Sequence, residues 1–290
     1  MTNKDKSISR STTRMHKANR KAVLLNLIIA VIALIMLVPI LWIVVTSMKS
    51  QVEVLKNPLG IIPQNNMFVS NLKEVLRRAP WSTFYKNTVI VAVCVLFLQL
   101  LISIPAAYAF ANFQFRFKSV FFLLVLIRLL VTAESLLLPN YITINRMGLY
   151  NTIWGIVLPN IPTAIAILMF RTAFLEIPPA LKDSANIDGC GDFRYMVSIA
   201  LPSIRARMVA FSITSLIYQW NAYFWPMVIT DSVDKRTLSV GMAYFGLQAE
   251  SASEWGLTMV AALLTIVPLI ILYAFFQKQL VNSFISTGIK

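Results

Sequence analysis

Six apolar runs of about twenty residues each punctuate this chain, and each is long enough to cross the ~30 Å hydrocarbon core of a bilayer as a helix. They lie near residues 23–46, 88–111, 120–138, 153–170, 208–229 and 257–276. Lipid offers no partner to a free N–H or C=O, so a spanning segment is either a helix or a strand of a closed barrel. Barrel strands need only about 10 residues. The runs are too long for that, and the expected fold is an all-α polytopic membrane protein with six transmembrane helices. The balance of residues agrees: 13% are charged and the mean hydropathy is +0.71, against about 25% charged in soluble domains.

The net charge of +14 does not point to nucleic acid. Basic residues cluster at the edges of apolar runs, as the positive-inside rule expects, and no basic stripe with interleaved aromatics occurs. The first run follows Lys4, Lys6, Arg10, Arg14, Lys17, Arg20 and Lys21. Its apolar part is too long for a cleaved signal peptide and lacks an A-x-A site, so it reads as a retained signal anchor. Residues 1–21 form a basic cytoplasmic tail and 22–290 the transmembrane domain. With the N-terminus inside, sixteen Lys/Arg fall on the inner side and nine on the outer, six of those nine in one long loop. The expected topology has both termini in the cytoplasm. It places 170–207 inside, and the loops 49–86 and 226–255 outside, with an amphipathic patch at 71–78 on the membrane surface.

The residues for several chemistries are scarce. Cys94 lies in an apolar run and Cys190 in a polar stretch, too far apart for a disulfide. His16 is the one histidine, and neither a metal site nor a catalytic constellation emerges. An ion-coupled carrier needs acids within its spans, and only Glu134 qualifies. No G-x(4)-G-K-[ST] sequence is present, so no phosphate-cradling loop is available for ATP. Among polar groups inside spans, Arg128 is expected to find a partner on a neighbouring helix, with a place in the pathway as the alternative. Glu134 is expected either to snorkel or to meet the backbone of a broken helix, and Gln99 and Asn160 to bond between helices.

One polar stretch stands out, Asp183-Ser184-Ala185-Asn186-Ile187-Asp188-Gly189 followed by Ile199-Ala200-Leu201-Pro202. A proline in the first turn and Gly189 just past the end predict a short helix over 179–188. Ala180, Ser184 and Ala185 keep one side small, suiting it as a knob for a cleft or as an ordinary linking loop. Asp192 is placed to cap a second short helix, and Pro202 lies where the fifth span begins.

This stretch resembles the EAA loop of bacterial ABC importer permeases: E-A-A, three residues, G, nine residues, I-x-L-P. Asp183 replaces Glu and Ser184 the first Ala, while Gly189 and the Ile199–Pro202 positions match. Met147-Gly148-Leu149-Tyr150-Asn151-Thr152, Gln219-Trp220-Asn221 with Phe224-Trp225-Pro226, and Glu254-Trp255-Gly256 are similar to the maltose-type carbohydrate subfamily. The resemblance covers roughly 87–290. It implies the type I importer (MetI-like) permease fold, with a core over about 85–280 and a coupling loop over 176–202.

By the same resemblance, Asp183, Ser184, Ala185 and Gly189 would touch a cytoplasmic ATPase subunit, with Ile199, Leu201 and Pro202 anchoring the exit. No cofactor is then bound by this chain, and ATP-Mg sits on the partner subunits. The other implied partners are a second permease, in a heterodimer, and an extracytoplasmic solute-binding protein. The expected cargo is a sugar or oligosaccharide, with glycerol 3-phosphate or its diesters as the alternative.

For the pathway, Tyr218, Gln219, Trp220, Asn221, Tyr223 and Trp225 combine aromatic faces for sugar C–H groups with amides and phenols for hydroxyls. The competing reading is an interfacial aromatic belt with packing. Glu134 completes the set.

Overall fold

The computed structural model describes residues 3–251 and 254–288, with side chains for 23, 25–249 and 254–277. His16, the other side chains of the basic tail, Lys278 and Lys290 lie outside the described residues. No strand occurs among the described residues. Contacts divide the chain into two compact units, Met1–Val75 with Ala249–Leu263, and Leu76–Gln248 with Leu264–Lys290.

In the first unit, α1 (Asn3–Ser47) contains the apolar segment Leu25–Ser47, long enough to span a bilayer. After it come α2 (Gln51–Lys56) and α3 (Phe68–Arg78). The amphipathic patch expected on the membrane surface is part of α3, and one side of it is buried in protein. Asn71 Nδ2 donates to Ser47 O at 2.9 Å and to Lys49 O at 3.1 Å, tying α3 to the end of α1, and Val75 is fully buried. The unit also takes in the start of α15 (Trp255–Gly288), whose apolar part is Trp255–Gln277.

The second unit is built on α4 (Trp81–Asn112), a continuous span of 32 residues. The third expected span is not one helix. α5 (Lys118–Ile127) has 10 residues, about 15 Å long, and the chain then turns before a 3-10 segment, Glu134–Leu136, and α6 (Leu137–Arg146). Side chains support the break: Arg128 Nη1 donates to Val131 O at 3.0 Å, and the Thr132 and Ser135 hydroxyls lie 2.9 Å apart. Arg128 therefore bonds locally and not to a neighbouring helix. Irregular backbone at membrane depth is tolerated where it lines a cavity.

The fourth and fifth spans are also broken. α7 (Ile153–Val157) runs into a 3-10 turn, and Ile153–Asn160 meets α8 (Ala164–Leu175) at 46°. Pro162 supplies no N–H there, and Thr163 caps α8 by accepting from Ala166 N at 3.5 Å. Next come α9 (Pro179–Ile187), α10 (Asp192–Tyr195), a π-helical stretch Met196–Ala200, and α11 (Leu201–Ser203) with Pro202 in its first turn. Asp192–Ser203 meets α12 (Arg205–Asn221) at 75°.

Beyond α12, the expected polar loop over 226–255 is mostly helical: α13 (Phe224–Ile229), a 3-10 turn Val233–Lys235, and α14 (Leu238–Ser251). Leu238, Val240 and Phe245 of α14 are buried. Its start is held from α4. Thr88 Oγ1 accepts from Leu238 N at 2.7 Å, and Asn87 Nδ2 donates to Asp234 O at 2.8 Å and Arg236 O at 2.9 Å.

α4 packs along α8 and α12 over one apolar cluster and against α6, α7 and α13 over a second. Between them Gln99 joins three segments, its Nε2 donating to Asn160 O at 2.8 Å and its Oε1 accepting from Ser215 Oγ at 2.7 Å. The expectation for Gln99 holds. The Asn160 side chain instead bonds its own helix, at Ile156 O.

Candidate functional site

The first element of the site is α9. Pro179 occupies its first turn, where a missing N–H costs nothing. Gly189 ends it at φ +71, with Gly189 N bonded to Asn186 O and Cys190 N to Ala185 O, a Schellman closure. A salt bridge of 3.3 Å from Lys182 to Asp192 ties α9 to α10. Asp192 is not the cap that the sequence suggested. Gly191 holds that position, and Asp192 sits in the first turn, where it also accepts from the Tyr108 hydroxyl at 3.5 Å.

Ala185 is 4% exposed, in the cluster that includes Tyr108, Phe174 and Tyr195. Its smallness serves close packing against the bundle and leaves no surface for a partner. Asp183, Ser184, Gly189 and Pro202 are exposed, and Ile199 and Leu201 are half-buried. Two exposed apolar residues went unnoticed in the sequence: Ile187 at 86% and Phe193 at 77%. Ile187 follows Ala185 by two positions, about 200° round a helix. Once Ala185 is assigned inward, Ile187 must point out.

The second element is a pair of adjoining cavities of about 360 and 680 Å³ where the broken spans meet, sharing Arg128, Pro159, Asn160, Thr214 and Tyr218. Glu134, Tyr218, Asn221, Tyr223 and Trp225 line the larger, and Tyr218 and Gln219 line the smaller. Trp220 lines neither. Its Nε1 donates to Thr265 O at 3.2 Å and its ring tilts against Tyr85, so it is a packing residue. Trp225 presents ring surface only, since its Nε1 is directed to Gly155 O and Ile156 O.

Gln219 is 3% exposed, and its Oε1 has no hydrogen-bond partner. A buried amide oxygen left unpaired costs about 1–3 kcal/mol, so Gln219 is an unsatisfied polar residue in the wall of the smaller cavity, with its Oε1 closed off from solvent. Arg128 is exposed to both cavities, and Glu134 to the larger. Thr214 and Asn160 were not among the pathway residues expected from the sequence, and for Arg128 a pathway role was the alternative to a structural one. Arg128 stands out as a charge within an apolar run, whereas Thr214 and Asn160 carry no charge to mark them. The arrangement offers hydroxyl acceptors, phenols, aromatic faces and one cation: the groups that bind a polyhydroxylated molecule.

A family model described as the binding-protein-dependent transport system inner membrane component matches residues 79–285. The chain belongs to that family. It is an inner-membrane permease component of a transport system that depends on a binding protein. The arabinooligosaccharides transport system permease protein AraQ of Halalkalibacterium halodurans is 31% identical over 269 residues, covering 92% of this chain and 96% of the relative. The sn-glycerol-3-phosphate transport system permease protein UgpE of Brucella abortus is 29% identical over 274 residues, covering 90% and 95%. A solved bacterial ABC transporter that imports the acidic polysaccharide alginate superimposes at a TM-score of 0.78 with 23% identity, covering 89% of this permease and 95% of that chain. The fold is thus that of an ABC importer permease.

Proposed function

We propose that this permease forms half of the translocation pathway of an ATP-driven importer for a sugar or oligosaccharide. ATP-Mg binds to two separate ATPase subunits, which hydrolyse it in trans. A second permease completes the pathway, a solute-binding protein delivers cargo from outside, and both termini face the cytoplasm. The observation that carries this reading is the exposure of Ile187 and Phe193 on a loop seated on the bundle by Ala185 and braced within itself by the Lys182–Asp192 pair. Exposed apolar side chains on an otherwise polar loop mark a protein contact, and these flank Asp183, Ser184 and Gly189.

The cavity supports the cargo class, through the phenols of Tyr218 and Tyr223 and the amide of Asn221, and the AraQ relative is named for oligosaccharides. Arg128, facing both cavities, favours a second reading, uptake of glycerol 3-phosphate or a diester. Reconstitution with the partner subunits separates these. Replacing both Ile187 and Phe193 with Asp is expected to abolish ATPase co-purification while the permease pair stays assembled; undiminished co-purification overturns the docking assignment. Arg128→Gln is expected to leave neutral-sugar uptake within about twofold, whereas a loss of tenfold or more, about 1.4 kcal/mol, confined to a phosphorylated cargo selects the second reading.

A further inference from the structure

α5 begins beside α8 at a small pocket outside the cavities described above. About 220 Å³ in volume, it is walled by Lys118, Ser119, Phe122, Leu123, Leu126 and Arg171. Two cations and a hydroxyl face it, with no carboxylate among the six. Arg171 is held in place: its Nε donates to Phe110 O at 3.2 Å and its guanidinium lies 4.3 Å from the centre of the Phe122 ring. That bond uses one of the five guanidinium donors. Lys118 Nζ donates to Phe113 O at 2.8 Å, which occupies one of its three donors. α5 also starts without a side-chain cap, behind Phe117 at φ 63, so its first-turn N–H groups add positive potential at Ser119.

The rest of the α5 surface is apolar, with Val120, Phe121 and Leu124, and Leu123 at the pocket wall, each about half exposed. Its 10 residues span about 15 Å, half the ~30 Å hydrocarbon core and therefore the depth of one leaflet. The helix thus offers cationic donors at headgroup level and one leaflet's length of apolar surface beneath them. Phe113, which Lys118 contacts, also lies under the Lys182 ammonium of α9. The pocket is therefore at the α9 end, the cytoplasmic end under the function proposed above.

We propose that this pocket binds the headgroup phosphate of an anionic glycerophospholipid of the inner leaflet, with the acyl chains lying along α5. Lys118, Arg171 and Ser119 hold the phosphodiester oxygens, and the apolar side chains of α5 take the place of neighbouring lipid tails. The occupant is singled out by charge complementarity and by the match between helix length and leaflet depth.

The test uses the assembled transporter in detergent, delipidated and then titrated with phosphatidylglycerol, phosphatidylcholine or soluble glycerol phosphate, with bound lipid counted by native mass spectrometry. Phosphatidylglycerol is expected to be retained about tenfold better than phosphatidylcholine. Combining Lys118→Gln with Arg171→Gln is expected to remove that preference. Should the double variant fail to assemble, Ser119→Asp serves instead, because an acid in the first turn favours the helix while repelling a phosphate. Equal retention of phosphatidylglycerol by wild type and Ser119→Asp overturns the proposal. So does equal protection by soluble glycerol phosphate, which would make this a free-anion site. A pocket closed by the second permease, seen as retention only after that subunit is removed, also overturns it. None of these outcomes depends on which cargo is carried, so failure here is distinct from failure of the transport reading.

Discussion

Asn151 shows how much one residue of the 147–152 motif does. It sits at φ 56 and its N–H donates to Ile229 O at 2.9 Å. Its Oδ1 accepts from Asp231 N and Ser232 N, each at 3.1 Å, and from Ser232 Oγ at 2.9 Å. Asn tolerates left-handed backbone better than most residues, so conformation and side chain agree. Gly148, also at positive φ, follows the end of α6, and Thr152 caps α7 through Gly155 N. Asn151→Ala strips the acceptor from three donors and is expected to destabilise the purified complex by about 2 kcal/mol. Thermal unfolding reads the loss, and Asn151→Asp, which keeps an acceptor, is expected to recover most of it. The motif was visible in the sequence as a family signature, but its partners at Ile229, Asp231 and Ser232 are some 80 residues away and leave no local trace. Gly189 was legible to the residue, because a helix end and its left-handed closure are local events.

For whole elements, hydropathy predicts six spans. Three are single helices long and apolar enough to cross a membrane among the described residues, and the fourth and fifth are bent pairs. Hydropathy does not report the continuity of the backbone. The run over 120–138 reads as one span because its side chains dissolve in lipid, yet it folds as α5, a turn and α6 around Arg128. Arg128 and Glu134 were the visible warning. What turned that warning into a break was a cavity assembled from α12 and the 159–160 turn, a tertiary fact. The run over 226–255 misled in the opposite sense: its polar ends hid α14, whose start is capped by Thr88 from α4. Gln99 tests the interhelical joints. Gln99→Leu leaves Ser215 Oγ without its acceptor and Asn160 O without its donor, and is expected to cost about 1–2 kcal/mol. If instead the melting temperature of the complex stays within a degree, the three-segment bridge is incidental.

Across the whole molecule, the orientation inferred from basic residues can be checked at α9. Asp188 is exposed just past its end, so Asp188→Cys in a Cys190→Ser background gives one accessible thiol. A membrane-impermeant maleimide is expected to label it in inside-out vesicles and not in right-side-out ones; Cys94, within the α4 span, stays unlabelled in both. The opposite pattern reverses the topology and places α9 away from any cytoplasmic ATPase.

The burial of Ala185 has a mechanical consequence. α9 is seated in the same cluster as Tyr108 of α4 and Phe174 of α8, and the Glu176–Arg207 ion pair ties the end of α8 to the start of α12. If α9 is the coupling element proposed above, a push on it would bear on α4 and α8 through that shared cluster. The give lies in the joints, at Ile161–Thr163 and at Ile204, where a few backbone torsions can absorb a large angle. The second of these elbows opens α12, and Tyr218 and Gln219 ride at its far end. Under the proposed coupling role, a short stroke at the loop would reach the cavity as a swing of the wall that carries Tyr218 and Gln219.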